Sequence, residues 1–320
     1  MSGYLQEHAE QVREAADRIH SYVRRTPVLT TDLDPALRLK PECFQVTGSF
    51  KPRGAFNAVL NLVSGERRPR GVIAVSSGNH AQAVALAAAT VGLPALILIP
   101  EDANPAKVAA TRALGAEVIQ EGITFANREQ RLREVMAERG YELVHPFDDW
   151  DVIHGQGTVV RELLEDEPDL EAVAAPVGGG GLLTGSAISA KHHRASIKVI
   201  GVEPAAADDA YRSWKAGRIE ALAHSPKTLA DGVRTTAIGA RNFEAMFVNR
   251  LVDEIVTVTE DEIADAVRVA WSRLHLALEP TGTLPLAAYL SGKLPKGRLG
   301  LVLSGGNANL QTVATLLATR

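Results

Sequence analysis

The sequence predicts an α/β fold with two open parallel-sheet domains. Short apolar runs alternate with helical periods of hydrophobic residues, first over residues 71–144 and again over residues 156–310. Such alternation is typical of parallel sheets covered by helices. The chain has 320 residues, of which 46% are hydrophobic and 22% are charged. That length and composition suit one or two globular domains.

The first half of the chain is predicted to begin with an amphipathic helix over residues 5–24, which Thr26-Pro27 ends. Residues 32–42 show no clear period. Helical spacing resumes after Lys51, and a polar linker follows over residues 64–70. From there the pattern predicts strands over residues 71–75, 95–99, 116–120 and 141–144, with helices over residues 81–91, 105–114 and 125–139.

The second half repeats this alternation. The pattern predicts strands over residues 171–177, 198–202, 254–258 and 299–303, with helices over residues 156–164, 182–192, 261–276, 284–290 and from Leu310 onward. A loop-rich region extends to about Phe247. We therefore predict a large domain formed by residues 1–70 and 149–320, and a small domain formed by residues 71–148.

The composition favours small-molecule chemistry. The formal net charge of -4 gives no electrostatic reason to expect nucleic acid or an anionic membrane as partner. The single cysteine, Cys43, can form neither an intrachain disulfide nor a thiolate zinc site, which suits a reducing compartment. Apolar runs stay shorter than the ~18 residues of a membrane helix. We expect a cytoplasmic protein.

Lys51 is the first candidate for chemistry. It lies between Phe50 and Pro52-Arg53-Gly54, in a segment with little other charge. A lysine that is partly desolvated there has a lowered pKa, and its amine can act as a nucleophile or base at neutral pH. The alternative is a solvated surface lysine near a helix start.

Two loops follow predicted strands and precede predicted helices, where open α/β sheets bind ligands. Ser76-Ser77-Gly78-Asn79-His80 offers hydroxyls, an amide, an imidazole and helix N–H groups, which together suit a carboxylate. Helix capping alone explains one or two of these polar side chains. The glycine loop, residues 178–181, allows backbone N–H groups to converge on a phosphate.

The spacing around the glycine loop excludes two common phosphate sites. A dinucleotide fingerprint requires glycine or alanine where Thr184 stands, and a P-loop requires lysine where Ser186 stands. The remaining interpretations of the glycine loop are a site for a different phosphate ligand and a tight strand-to-helix turn. The later loop Ser304-Gly305-Gly306-Asn307 offers Ser304 to a ring nitrogen or another polar ligand atom, unless it is a simple turn.

Together, a lysine, a phosphate loop, a carboxylate receptor and a hydroxyl at a strand end indicate pyridoxal 5'-phosphate (PLP). The segments 49–55, 76–80, 178–181 and 304–307 resemble those of fold type II PLP enzymes, in the serine/threonine dehydratase and serine racemase group. The motifs occur in the family's order. The resemblance implies a tryptophan-synthase-β-like fold, a mobile small domain on the substrate side, and a homodimer.

The resemblance also implies roles for the cofactor-binding residues. Lys51 would form a Schiff base with PLP and later move the Cα proton, and Phe50 would pack beside the ring. The remaining contacts would be Asn79 with the ring hydroxyl, Gly178, Gly179, Gly180 and Gly181 with the phosphate, and Ser304 with the pyridine nitrogen. A neutral hydroxyl does not hold that nitrogen protonated, so the ring is a weaker electron sink, which suits loss of a β-substituent.

By the same resemblance, the substrate carboxylate would bind Ser76, Ser77, Asn79 and His80. Arg128 lies 17 residues before His145, as a substrate-contacting arginine does in the serine racemase branch, although it could also be a solvated helix charge. Glu203, the carbonyl of Ala207 and Asp209 resemble the divalent-cation site of that branch. Oxygen donors suit Mg²⁺ or Ca²⁺; the alternative is a solvated acidic loop.

The resemblance predicts PLP-dependent dehydration and deamination of L-threonine or L-serine to a 2-oxo acid and ammonia. One alternative is an amino-acid racemase, in which Ser77 is the acid/base on the face opposite Lys51. Another is a 3-hydroxyaspartate dehydratase, in which Arg128 holds the extra carboxylate. A non-catalytic amino-acid-binding protein is a fourth possibility, against which the intact Lys51 argues, because binding alone does not require that lysine.

Overall fold

The structure, a computed structural model, describes residues 2–101, 103, 105–124 and 127–318. It confirms the predicted fold class, because the strands form two sheets in which every neighbouring pair is parallel. Helices cover these sheets. None of the helices in the described part of the chain combines the length and the apolar composition that a membrane span requires.

The small sheet has four strands in the order β4-β3-β2-β5. Their bounds are β2 Val72–Val75, β3 Ala95–Leu98, β4 Glu117–Ile119 and β5 Glu142–Leu143. The two central strands, β2 and β3, are almost wholly apolar and buried, as expected for strands covered on both faces. The helices that alternate with these strands are α3 Asn79–Thr90, α4 Pro105–Ala113 and α5 Arg128–Arg139.

The large sheet has five strands in the order β1-β9-β6-β7-β8. Their bounds are β1 Leu37–Pro41, β6 Ala172–Pro176, β7 Lys198–Pro204, β8 Glu254–Val258 and β9 Leu299–Leu303. The remaining helices are α1 Ser2–Ile19, α2 Lys51–Ser64, α6 Trp150–Asp166, α7 Gly181–His193, α8 Asp209–Ala216, α9 Ala240–Phe243, α10 Glu260–Ser272, α11 Leu284–Leu290 and α12 Leu310–Ala318. The buried apolar residues on the two faces of this sheet form two separate clusters.

Most predicted elements are present, and the differences are at their ends. The first helix ends at Ile19 and not at residue 24, and the helix predicted from residue 156 begins at Trp150, where Asp149 caps it. The helix predicted over residues 125–139 is described from Arg128 onward, and residue 125 lies outside the described residues. Short helices α8 and α9 lie in the region predicted to be loop-rich.

Strand β1 lies in residues 32–42, where the sequence shows no clear period. It pairs with β9 along its whole length. Lys40 interrupts the apolar pattern, but its side chain is fully buried and its Nζ donates to the carbonyl of Thr26 and to Glu162, both at 2.7 Å. A buried lysine with hydrogen-bond partners can thus occupy a strand position that a sequence pattern assigns to an apolar residue.

The two sheets follow the predicted division of the chain. All strands of the small sheet fall within residues 71–148, and all strands of the large sheet fall outside that segment. The domain boundaries and the mobility of the small domain stay predictions. Helix α2 packs closely on α6, since a Cβ on Gly155 would lie 2.4 Å from the carbonyl oxygen of Arg53. This contact fixes the helix that begins with Lys51.

Candidate active site

Lys51 is the first residue of α2, directly after Phe50. Its Nζ donates a hydrogen bond to the carbonyl of Pro146 at 2.7 Å and lies 5.1 Å from the centroid of the Phe50 ring. Burial lowers the pKa of Lys51 from 10.5 to about 8, because a charged amine is disfavoured away from water. A fraction of this amine is therefore neutral and nucleophilic near neutral pH.

Residues 144–147, between β5 and α6, join the predicted loops around this lysine. The carbonyl of Pro146 contacts Lys51, and the carbonyl of Val144 accepts a hydrogen bond from His80 Nε2 at 2.8 Å. On the other side, a Cβ on Gly179 would lie 2.2 Å from the ring of Phe147. The lysine, the 76–80 loop and the glycine loop therefore meet around this one segment.

The 76–80 loop follows β2 and includes the first residues of α3. Ser77 is exposed and Ser76 is half-buried. The His80 ring is 2% exposed, and burial together with the nearby charge of Lys51 lowers the pKa of His80 to about 3. Because this ring is neutral and already hydrogen-bonded, it offers no positive charge to a carboxylate. The predicted contact of His80 with the substrate carboxylate would therefore be made by its backbone N–H at the start of α3.

The glycine loop connects β6 to α7, and Gly181 is the first residue of that helix. Gly180 has a φ of +102°, a conformation that favours glycine. A Cβ on Gly180 would lie 2.7 Å from the Cβ of Asn242, whose Nδ2 donates to the carbonyl of Phe147 at 2.9 Å. The first N–H groups of α7 have no partner within the helix and can donate to a phosphate.

Ser304 follows β9 and is 2% exposed. Its carbonyl accepts a hydrogen bond from the N–H of Phe50 at 3.1 Å, which ties this strand end to the lysine segment. A carboxylate lies beside it, since a Cβ on Gly305 would be 2.8 Å from Glu279 Oε1. Glu279 also accepts a hydrogen bond from Asn79 Nδ2 at 2.7 Å.

Glu279 is a buried acid with an altered pKa. Burial, reinforced by the charge of Asp231, raises the pKa of Glu279 to about 7, although Lys107 and the Asn79 hydrogen bond act in the opposite direction. Lys107 and Asp231 form an ion pair at 2.5 Å between α4, beside the small sheet, and residues 231–233. This ion pair links the small sheet's helices to the large-sheet part of the chain next to the site.

Arg128 begins α5 and has 26% of its side chain exposed; its Nε lies 3.7 Å from Glu129 Oε1. Burial lowers the pKa of Arg128. Burial also lowers the pKa of His145, and the charges that oppose this lowering include Glu129. The start of α5 therefore lies close enough to residues 144–147 for its charges to act on the site.

The predicted cation ligands lie at the end of β7 and the start of α8. Glu203 and Asp209 are both fully buried. Glu203 accepts hydrogen bonds from the backbone of Ala210 and Tyr211, whereas both carboxylate oxygens of Asp209 are buried without a hydrogen-bond partner. Burial raises the pKa of Asp209 to about 7, and burial with the Asp209 charge raises the pKa of Glu203 well above its usual range.

Unpartnered carboxylate oxygens suit a cation, because an anion buried without a partner is costly. Within the described ranges, no group of three or more His, Cys, Asp or Glu side chains is placed to hold a metal ion. A cation here would therefore need the carbonyl of Ala207, which is 1% exposed, in addition to the two carboxylates.

The sequence and structure both match known proteins over nearly their whole length. Residues 19–305 match the family of pyridoxal-phosphate dependent enzymes. The chain belongs to this family. It is 44% identical to the L-threo-3-hydroxyaspartate ammonia-lyase of Saccharomyces cerevisiae, covering 96% of this chain and 95% of that protein. It is 39% identical to the serine racemase of Schizosaccharomyces pombe, covering 97% of each.

A solved structure, the T.th. threonine deaminase, is 48% identical and superposes with a TM-score of 0.88, covering 94% of this chain and 98% of that one. These matches confirm the predicted family, a fold type II PLP enzyme of α/β class. The chain is therefore a PLP-dependent enzyme, and its residues fit the cofactor. A buried amine of lowered pKa can react with the aldehyde, and a helix N-terminus can accept the phosphate.

The structure brings most of the predicted residues together around residues 144–147, and the individual roles stay predictions. The cation ligands lie apart, at the end of β7 and the start of α8, where the charge of Asp209 acts on Glu203. Sequence reasoning assigned no role to Phe147, Asn242 or Glu279. A signal was available for Glu279, which is the one charged residue in the otherwise uncharged run from Leu276 to Leu286.

Proposed function

We propose that this enzyme uses PLP to dehydrate and deaminate L-threonine or L-serine, producing a 2-oxo acid and ammonia. The observation that carries the proposal is the buried Lys51 amine, held by Pro146 among three ligand loops. The 48% identical threonine deaminase and the 44% identical ammonia-lyase support it.

Bound PLP supplies an aldehyde carbon that joins to amines and a ring that withdraws electrons from the substrate Cα. The hydroxyls of Ser76 and Ser77 and the N–H groups at the start of α3 bind the substrate carboxylate. Lys51 Nζ anchors the cofactor and, once released, takes the proton from the substrate Cα. The β-hydroxyl then leaves as water with a proton equivalent to the one that Lys51 removed. The released enamine takes up a second water and loses ammonia.

The proposal is tested with purified protein and added PLP. L-threonine, L-serine and L-threo-3-hydroxyaspartate are each incubated with the holoenzyme, and the 2-oxo acid and the chirality of the remaining amino acid are measured together. We expect oxo acid from threonine or serine and no D-serine. Absence of oxo acid from both would refute the proposal, and D-serine without oxo acid would assign the enzyme to racemisation.

The second candidate substrate is L-threo-3-hydroxyaspartate. It is favoured by the 44% identical relative. It is also favoured by the position of Arg128 beside Glu129, whose charge acts on His145. In this reading the Arg128 guanidinium binds the second carboxylate of the substrate, and the rest of the site acts as above.

Arg128→Glu separates the two substrates. If Arg128 holds the second carboxylate, charge reversal lowers kcat/KM for hydroxyaspartate at least about tenfold more than for threonine, because a charged hydrogen bond becomes a repulsion. The matched control is Arg133→Glu, an exposed residue of the same helix. Equal losses for both substrates, or equal effects of the two variants, would remove Arg128 from substrate recognition.

We also propose that Glu203, Asp209 and the Ala207 carbonyl bind Mg²⁺ or Ca²⁺. Saturating cation is expected to stabilise the protein by about 2–3 kcal/mol, the gain for a ligand at roughly a hundred times its Kd. Thermal unfolding with chelator and with added cation measures the gain. Asp209→Asn should abolish it, whereas Asp208→Asn, a neighbour paired with Arg212, should keep it. A cation response unchanged by Asp209→Asn would locate the cation elsewhere.

The homodimer and the cytoplasmic location stay predictions.

A further inference from the structure

The amide of Asn79 is hydrogen-bonded at both of its ends. Its Oδ1 accepts a hydrogen bond from Asn307 Nδ2 at 2.7 Å, and its Nδ2 donates to Glu279 Oε1 at 2.7 Å. These partners are distant in sequence and come from the two chain segments that flank β9. The orientation of this amide is therefore decided by the tertiary structure.

The direction of the amide follows from a backbone carbonyl. Asn307 Nδ2 also donates to the carbonyl of Thr47 at 2.6 Å. A carbonyl oxygen only accepts, so the nitrogen of the Asn307 amide must face Thr47. The two hydrogens of that nitrogen are then used by two oxygens, one on Thr47 and one on Asn79. Asn79 must present its oxygen, and not its nitrogen, to Asn307.

Glu279 fixes the opposite end. Its carboxyl oxygen lies against Gly305, and its N–H donates to the carbonyl of Gly305 at 3.1 Å, so it has little freedom to move. It accepts one of the two hydrogens of Asn79 Nδ2. A primary amide nitrogen has a second hydrogen, and this one is left for a ligand.

We propose that Glu279 and Asn307 are positioning residues, which orient the Asn79 amide so that it donates an N–H to the ring oxygen of bound PLP. This inference rests on the cofactor contact proposed for Asn79. An N–H donor stabilises the negatively charged form of that oxygen. The reversed amide would face it with a carbonyl oxygen and would require the ring oxygen to keep its proton.

Charge alone does not explain the arrangement. A negative Glu279 would itself disfavour negative charge on the ring oxygen, and Asp231 would act in the same direction, whereas Lys107 and Lys51 would act against them. A carboxyl group at this position is useful as a hydrogen-bond acceptor for Asn79, and the neutral and charged forms both accept. Orientation and charge can therefore be separated by substitution.

The test uses holoenzyme without substrate, so its outcome does not depend on which reaction the enzyme catalyses. The visible spectrum of bound PLP is recorded between mildly acidic and mildly alkaline pH, and the Kd of PLP is measured for each variant. Asn307→Asp replaces the donor by an acceptor of the same shape and Glu279→Leu removes the acceptor, so both release the amide. Each should raise the proton affinity of the ring oxygen and weaken PLP binding, by about tenfold or more.

Glu279→Gln is the conservative variant, since it keeps an acceptor and loses the charge. It should keep the spectrum and Kd close to native values. Asn249→Asp, a partly exposed amide that donates only to the carbonyl of Glu244 among the contacts described, controls for the change from amide to acid. Equal shifts in Glu279→Gln and Glu279→Leu would overturn the proposal in favour of a charge effect, and native spectra and Kd in all variants would also overturn it. If Asn307→Asp does not fold, the comparison of Glu279→Leu with Glu279→Gln decides.

Discussion

Lys51→Ala is expected to lower turnover of L-threonine or L-serine by at least about 10²–10⁴-fold, the contribution of one positioned acid/base group. The amine it removes is the one that burial holds at a pKa of about 8 and that Pro146 holds in place. Alanine provides neither a nucleophile for the cofactor aldehyde nor a base for the Cα proton. The loss should appear in kcat for every substrate.

Borohydride reduction of the holoenzyme, followed by peptide mass analysis, provides a readout that does not depend on turnover. The native protein should carry the mass of reduced cofactor on the peptide that contains Lys51, and the variant should carry none. Lys293→Ala is a suitable control, because that lysine forms a partly exposed ion pair with Glu262. Native turnover in Lys51→Ala, or cofactor mass on another lysine of the native protein, would contradict the assignment.

Arg53→Ala is expected to reduce the free energy of unfolding by about 3–5 kcal/mol, the usual cost of removing one partner of a buried ion pair. Arg53 is fully buried two residues after Lys51. Its guanidinium pairs with Glu42 at 2.8 Å and with Glu162 at 2.7 Å. Without it, Glu42, which is also fully buried, keeps only the hydroxyl of Thr26 as a side-chain partner among the contacts described.

Denaturant unfolding measures this loss, and Arg25→Ala provides the comparison. Arg25 also pairs with two carboxylates, Glu165 and Asp166, but its side chain is 49% exposed. Exposed ion pairs contribute about 0–1 kcal/mol. The loss in free energy of unfolding should therefore be several-fold larger for Arg53→Ala than for Arg25→Ala. Arg53→Lys keeps the charge, so its loss in free energy of unfolding should lie between those of the two alanine variants. It replaces Arg53→Ala in the comparison if that variant does not fold. Equal losses for Arg53→Ala and Arg25→Ala would show that the buried network adds little stability.

The parts of this protein that the sequence predicted are those with a local physical cause. A strand buried on both faces is a short apolar run, and a helix on a sheet repeats its apolar residues every three or four positions, so β9 and α11 were predicted with the bounds observed. The ligand loops were found because glycine and small polar residues follow these strands directly. Strand β1 was not predicted, because Lys40 interrupts its apolar run. The partner that allows this lysine to be buried, Glu162, lies 122 residues away in the sequence.

From the sequence alone we could predict the α/β class, the parallel sheets and, through resemblance, the family, with Lys51 as the candidate cofactor lysine. Each depends on neighbours within a few residues or on motifs in a set order. The surroundings of these residues depend on the tertiary structure. Burial set the pKa of Lys51, and the hydrogen bonds that orient Asn79 join it to residues 200 and 228 positions away. Such contacts have no local pattern, because their partners meet only when the two sheets have packed.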